Sequence, residues 1–466
     1  MHPMSLTAIA EVMGGRLADV LDPQALVTQS AVFDSREAKP GSLFVALAGE
    51  HTDGHTYAEA AVNKGATAAL ALRPVGVPAV IVDDVLDAFG RLGRFLVQDA
   101  LHARIVAITG SAGKTSTKDF IAQVLPAAGS VIATPQSFNN EIGLPLTITM
   151  ADDSTQYLVL EMGARGIGHI RDLTRIAQPD ISVVTNVGTA HVGEFGGREN
   201  IAQAKGEIVE ALSSGGLAVL NADDPLVRAM AHRTPGRVVT YGLDEQATVR
   251  AADVVLDEHG QPSYTLHTPE GSARVHLQLV GEVQVHNSLA AAAVGREAGL
   301  DADQIASLLS AATPQSRWRM ETATRADGVT IINDAYNANP HSMRSSLNAL
   351  AAMTGGRDQR SIAVLGRMNE LGDDTRTAHQ DIGRHAAALD LDQLIAVGGD
   401  EAAWIQQAAS SAGIQAVHMP DQDTALQLLR STLRPGDVVL VKASRGVQLQ
   451  QLADALLQPN PEAAGA

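Results

Sequence analysis

Short runs of consecutive apolar residues alternate along this chain with stretches in which apolar positions recur every three or four residues. The first pattern is that of strands buried on both faces, and the second that of amphipathic helices. Residues 1–85 hold strand-like runs at 30–33 and 42–46, a helical pattern over 57–64, and apolar runs at 68–72 and 79–82, which together predict a small α/β unit. Asp83 and Asp84 then open an amphipathic stretch, 85–99, with Val85, Phe89, Leu92 and Leu96 on one face, read as the connector into a second unit. There the run 105–109 passes through a glycine turn into a helix over 116–125, followed by strands at 157–160 and 181–185 and a helix over 199–212. Residues 250–280 change to short alternating strands with Pro and Gly turns, an antiparallel addition. After Pro314 the alternation restarts, with strands at 329–333, 362–365, 394–397, 416–418 and 438–441 separated by helices. Strands that alternate with helices in this way build parallel sheets covered on both faces.

Composition narrows the function classes. The 466 residues carry 34 Lys and Arg against 52 Asp and Glu, a net charge of −18, with aromatics at 3%. An acidic, aromatic-poor surface gives no nucleic-acid footprint, so no nucleic-acid partner is expected. With Cys 0 there is neither a disulfide framework nor a thiolate metal site, and any metal must be held by oxygen or imidazole. No apolar run reaches the ~18 residues of a membrane span, and the first fifteen residues lack the pattern of a signal peptide, so a cytoplasmic protein without a membrane span is expected.

The segment Thr109-Gly110-Ser111-Ala112-Gly113-Lys114-Thr115-Ser116 lies between a predicted strand and a helix, the context of a phosphate-binding loop. Gly110 and Gly113 let backbone amides face phosphate oxygens, Lys114 supplies a point charge, and Thr115 is placed to ligate Mg²⁺. The usual pattern has a further glycine five residues before Gly113; here that position is Ile108, so the loop is a shortened variant. The expected fold class is therefore α/β in three domains. A small N-terminal α/β domain spans 1–84, a central P-loop-type, mostly parallel sheet spans 85–315, and a C-terminal Rossmann-like domain spans 316–466. Glu161 ends a strand at the edge of the sheet where ligands gather, and its carboxylate suits Mg²⁺. His191 follows another strand at the same edge. Nothing local distinguishes Lys205 from a solvated lysine.

Together these residues resemble the Mur ligase family, ATP-dependent amide-forming enzymes of peptidoglycan synthesis. The likeness extends over Leu160-Glu161-Met162-Gly163-Ala164 and the block from Asn186 to His191. Three further blocks resemble the branch that adds D-alanyl-D-alanine to UDP-N-acetylmuramoyl-tripeptide: Ser137-Phe138-Asn139-Asn140-Glu141, Ala204-Lys205-Gly206-Glu207-Ile208, and Asn333-Asp334-Ala335-Tyr336-Asn337-Ala338-Asn339-Pro340. The resemblance implies those two substrates, ATP and two Mg²⁺ ions, and the working unit is taken as a monomer. It implies a carbamylated Lys205 that holds the second ion with His191, and makes Lys114, Glu161, His191 and Lys205 the catalytic set. Asn287, Asp334, Tyr336 and Asn337 become adenosine contacts. An arginine of Arg317-Trp318-Arg319 reaches the nucleotide, Arg319 or, as the alternative, Arg317. Ser35, Arg36, Asp53, Gly54 and His55 become uridine and diphosphate contacts. Asn139, Asn140, Lys442, Ser444 and Arg445 are expected at the peptide or phosphates.

One block departs from the family. Gly366-Arg367-Met368-Asn369-Glu370-Leu371-Gly372 keeps Met, Glu, Leu and Gly but has Arg367 and Asn369 where other residues are expected. The Asp-Asn-Pro-Arg motif of diaminopimelate-adding relatives is absent. The alternatives are another Mur-type or folylpolyglutamate-type ligase and, from a different class, a P-loop regulatory ATPase.

Overall fold

The computed structural model describes residues 1–49, 52–188, 192–356 and 358–458, without the side chains of Val192 and Glu194. Its strands form three large sheets. The first is five-stranded, with Ala31–Val32, Leu43–Val45, Ala68–Ala71 and Ala79–Ile81 parallel in that order and Arg16–Ala18 antiparallel on the edge. The second is nine-stranded. Its parallel part places Arg104–Thr109 between Tyr157–Glu161 and Ile181–Val184, and its far end is the antiparallel meander Val249–Leu256, Pro262–Thr268 and Gly271–His276. The third is six-stranded, with Val438–Lys442 at its centre between Thr330–Asn333 and Ser361–Leu365.

The all-apolar runs became central strands because helices cover both faces. Val106, Ile108, Val159 and Val183 pack into one core, whereas Ala107, Leu158, Leu160 and Val184 pack into another on the opposite face. Period-2 alternation is exactly what such doubly covered strands lack. The helix Val85–Phe95, capped by the Asp84 carboxylate on Asp87 N–H, buries Val85, Phe89 and Leu92. It does more than connect. The core holding these three residues runs without interruption from Met1, Leu6 and Ile9 of the first unit to Leu144, Ile170 and Ile208 of the second.

Pattern reading missed the helix Leu6–Met13, the strand Val131–Ala133 and the helices Gly143–Thr149 and His169–Ile176, each eight residues or fewer and too short to establish a period. It also missed the strands Leu217–Asn221 and Arg237–Gly242 and the helices Val283–Glu297 and Ala302–Ala311; Val283–Glu297 is buried nearly all round and so shows no apolar stripe. Among the described residues no helix is long and apolar enough to cross a membrane.

In all three sheets the polar loops follow the carboxyl ends of parallel strands, the edge where ligands gather in open α/β sheets. The loops after Arg104–Thr109 and Tyr157–Glu161 meet those after Thr330–Asn333, Ser361–Leu365 and Val438–Lys442 across one cavity.

Candidate active site

The phosphate loop is built from glycines with no room for anything larger. Gly113 has φ +80°, and a Cβ there would sit 2.5 Å from Asn287 Oδ1; one on Gly110 would sit 1.8 Å from Thr185 Oγ1. The chain after Ile181–Val184 straps the loop in place. Ser111 N–H donates to Asn186 O at 3.0 Å, Ala112 N–H donates to Asn186 Oδ1 at 3.0 Å, and Thr185 Oγ1 donates to Ala112 O at 2.6 Å. Lys114 opens the helix Lys114–Val124, and its Nζ folds back to donate to Gly110 O at 2.8 Å, the posture that leaves an ammonium over the loop. Burial pushes this amine below its ordinary value, Glu161 opposes the shift, and Arg319 adds to it.

Thr115 Oγ1 donates to Glu161 Oε2 at 2.7 Å, and Asn139 Nδ2 donates to Glu161 Oε1 at 2.8 Å. Glu161 is only 1% exposed, and its two carboxylate oxygens are held by one neighbour from the helix Lys114–Val124 and one from a loop. Ser137 Oγ lies 3.0 Å from Thr115 Oγ1 and accepts from Arg319 Nη2 at 2.9 Å, which ties the third sheet to the second at the phosphate loop. The loop carrying Ser137 and Asn139 is itself anchored by Lys118, whose buried Nζ donates to Thr134 O at 2.9 Å and to Gln136 O at 3.4 Å.

Lys205 is 4% exposed, in the helix Arg198–Glu210, and faces the same cavity. Among the described residues its Nζ has no hydrogen-bond partner, and burial, reinforced by the charge of Lys114, holds it well below the usual lysine value. A stranded amine of this kind is not a solvated lysine. His191 lies outside the described residues.

The C-terminal wall is equally ordered. Asp334 accepts from Met320 N–H at 3.1 Å, from Ser346 Oγ at 2.6 Å and from Lys442 Nζ. Lys442, 2% exposed, also donates to Asn337 O at 3.1 Å, so it props up the 334–337 turn from beneath. Tyr336 is stacked by two guanidinium groups, Arg319 at 4.2 Å and Arg445 at 5.3 Å from the ring centroid. Arg317 turns away, over Trp318 and towards Asp454 at 3.7 Å, so of the two arginines Arg319 reaches the loop. Asn287 accepts from Thr117 Oγ1 at 3.2 Å and donates to Gln284 Oε1 at 2.9 Å.

One cavity of about 790 Å³ is therefore lined by Gly110 to Ser116, Asn139, Asn140, Glu161, Lys205, Asn287, Arg319, Asp334, Asn337, Lys442 and Arg445. Ser444 is buried just behind the wall, its Oγ accepting from Asn369 N–H at 2.9 Å. Ser35, Arg36, Asp53, Gly54 and His55 are not part of this cavity. They gather at the carboxyl edge of the first sheet, where Asp53 caps the turn Gly54–Tyr57. His55 is locked there, with Nδ1 2.6 Å from Asp53 Oδ1 and Nε2 accepting from Leu72 N–H at 3.0 Å. Arg73 and His55 hold the Asp53 carboxyl below the usual carboxylate range, and Arg36 brings that of Asp34 down to about 2.

Family comparison decides what this cavity belongs to. The Mur ligase middle domain matches residues 108–295, the Mur ligase glutamate ligase domain 318–445, and the Mur ligase family catalytic domain 31–89. The chain belongs to the Mur ligase family. It is 46% identical to the UDP-N-acetylmuramoyl-tripeptide--D-alanyl-D-alanine ligase of Mycobacterium tuberculosis strain H37Rv, covering 98% of both chains. The ligase of that name from Bacillus subtilis is 34% identical over 97% of both. Among solved structures, MurF from Acinetobacter baumannii superimposes with a TM-score of 0.87 at 30% identity over 98% of this chain and 100% of that one. The MurF ligase of Thermotoga maritima in complex with ADP gives 0.79 at 30% identity over 92% and 97%.

Sequence reading of this Mur ligase missed Ser137, Lys118 and Gln284 as parts of the site. Ser137 stood inside a quoted block, two residues before Asn139, and only the fold shows it bridging Thr115 to Arg319.

Proposed function

We propose that this Mur ligase joins D-alanyl-D-alanine to UDP-N-acetylmuramoyl-tripeptide with ATP hydrolysis to ADP, the last cytoplasmic step of peptidoglycan precursor synthesis. The end-to-end likeness to ligases of that name carries this reading. The γ-phosphoryl group of ATP passes to the terminal carboxylate of the tripeptide, and the acceptor amine attacks the acyl carbon. The carbon–oxygen bond to phosphate breaks. Of the three protons on the acceptor ammonium one stays in the amide, one leaves on phosphate and one is released. Phosphoryl transfer needs positioning and charge neutralisation more than a protein nucleophile, which accords with a cavity walled by Lys114, Arg319 and backbone amides.

Residues 1–84 take the UDP end through Ser35, Arg36, Asp53, Gly54 and His55, residues 85–315 take ATP, and residues 316–466 close over it as one monomer. Asn287, Asp334 and Asn337 bind the adenosine end of ATP, Asn140 and Arg445 face the peptide or phosphates, and Lys442 and Ser444 position the wall. The donor set fits Mg²⁺. Thr115 and Glu161 offer hard oxygens in a chain with Cys 0, and among the described residues no three His, Cys, Asp or Glu side chains form a closed cage. Such an ion keeps open positions for phosphate oxygens and supplies charge neutralisation there. Lys205 suits carbamylation, because only an unprotonated amine adds CO₂ and burial favours that form. The new carboxylate would face Lys114 and hold a second ion with His191.

The test is ADP release with Mg²⁺ and ATP while each co-substrate is omitted in turn. Release that requires both, with the pentapeptide mass appearing, is expected; ADP release without either and without a new amide would overturn the reading in favour of a regulatory ATPase.

A further inference from the structure

Among the described residues Lys205 has no hydrogen bond to hold it in the cavity, so its placement depends on the helix that carries it, Arg198–Glu210. At about 3.6 residues per turn, Lys205, Gly206 and Glu207 leave that helix in three different directions. Lys205 takes the cavity, while Ala204 and Ile208 take the core. Gly206 meets Arg233. A Cβ at 206 would sit 2.0 Å from Arg233 Nη1, so the missing side chain is what lets the guanidinium lie against the helix. Its nitrogens donate along that face, Nη1 to Ala202 O at 3.0 Å, Nη2 to Gln203 O at 2.8 Å and Nε to Glu210 Oε1 at 2.9 Å.

Glu207, 2% exposed, meets the helix His169–Ile176. That helix starts behind Gly168, which holds φ +96° and has no side chain with which to cap it. The Glu207 carboxylate supplies the cap from another element, accepting from Gly168 N–H at 2.7 Å, from Arg171 N–H at 3.0 Å and from Arg171 Nη2 at 3.2 Å. Unpaired amides and the positive end of the helix dipole are where a buried carboxylate is stable. The chain from Glu161 to this helix lines the cavity with Gly163, Ala164 and Arg165. Glu207 therefore joins the segment that follows Glu161 to the helix that carries Lys205. Apolar packing is non-directional and leaves a helix able to turn and slide; polar clamps on two of its sides do not.

We propose that Glu207 and Arg233 are positioning residues that fix the rotation of the helix Arg198–Glu210 and so set where Lys205 stands relative to Glu161, an assignment that rests on the ligase reading above, in which both hold Mg²⁺. Neither Glu207 nor Arg233 lines the cavity. Each residue of the block Ala204-Lys205-Gly206-Glu207-Ile208 then has its own neighbour: core, cavity, Arg233, a helix start, and core again.

Glu207→Gln and Arg233→Met test this, with Lys205→Ala as the blank. The first puts an amide NH₂ where a carboxylate oxygen now accepts. The second removes the guanidinium bonds, while Ala202 O and Gln203 O keep their helical partners and folding survives. In each variant kcat should fall about tenfold or more, as for a reacting group held slightly out of place, with the KM for ATP moved less than about twofold. In ¹³C-labelled bicarbonate without nucleotide or substrate, the carbamate resonance that Lys205→Ala lacks should weaken in both variants at equal folded protein. Where Glu207→Gln does not fold, Glu207→Asp, which keeps the charge one methylene short, takes its place. A lower melting temperature with wild-type kcat and carbamate signal is what a purely structural role gives, and in either variant it overturns the assignment of that residue. A wild type without a Lys205-dependent resonance overturns the carbamylation reading instead, and kcat then decides the positioning.

Discussion

Lys114 and Lys205 are two buried lysines with opposite surroundings. Lys114 keeps a hydrogen bond to Gly110 O and the nearby charge of Glu161, whereas Lys205 has only burial and the repulsion of Lys114. The first is equipped to remain a cation against phosphate and the second to lose its proton. Lys114→Ala should lower turnover on the order of 10²-fold or more, the scale of removing one preorganised donor, with little change in melting temperature. Steady-state kinetics beside a thermal melt check this. Lys114, Thr115 and Glu161 were legible in the sequence because a strand, a glycine turn and a helix announce a phosphate loop without any tertiary information. Lys205 was not, since its character comes from what surrounds it in space; only likeness to a family singled it out.

Elements acquire their roles through a few buried side chains. His379, in the helix Thr375–Ala388, is fully buried, accepts from Met368 N–H through Nε2 and donates from Nδ1 to Thr375 O at 2.6 Å. The bond accepted at Nε2 requires the neutral ring, and burial lowers its pKa from 6.5 against the opposing pull of the Thr375 carbonyl. The unfolded chain therefore takes up this proton at a higher pH than the folded one. Its contribution to stability is complete above the unfolded value of 6.5 and is lost as pH falls below it towards the folded value. Melting temperature measured from pH 7.5 to about 5 should fall more steeply for wild type than for His379→Gln. A parallel fall would remove this role. Many strands could be placed from their apolar runs and most long helices from periodicity, though not Val283–Glu297, and a contact such as His379 to Met368 joins a helix to a loop and leaves no periodic trace.

The whole molecule is jointed unequally. One hydrophobic core crosses from the first sheet's helices into the second unit, and Ala31 N–H donates to Thr149 Oγ1 at 3.1 Å across the same boundary. The connection to the third sheet is thinner. Thr313 is tied to Gln123 by exposed hydrogen bonds, and Trp318 and Met320 both hold left-handed backbone, with φ +61° and +53°. Closure about the nucleotide should therefore move the C-terminal unit against the other two as a block, not the first unit about Asp84. With Cys 0, a disulfide between cysteines placed at His2 and Asp153, which pair across that boundary, forms without competing thiols. The cross-linked protein should keep its turnover and its ligand-induced change in X-ray scattering. Loss of that change on cross-linking would place the moving joint at Asp84 instead.

Where the blocks touch, glycine meets glycine. A Cβ on Gly193 would stand 2.6 Å from Gly372 N, and one on Gly372 would stand 2.9 Å from Gly193 Cα. Neither position can enlarge on its own without wedging the two blocks apart. The pair acts as a mechanical stop of fixed thickness. Sequences descending from this one are constrained at 193 and 372 jointly, although neither residue touches a reacting atom and 178 residues of chain lie between them.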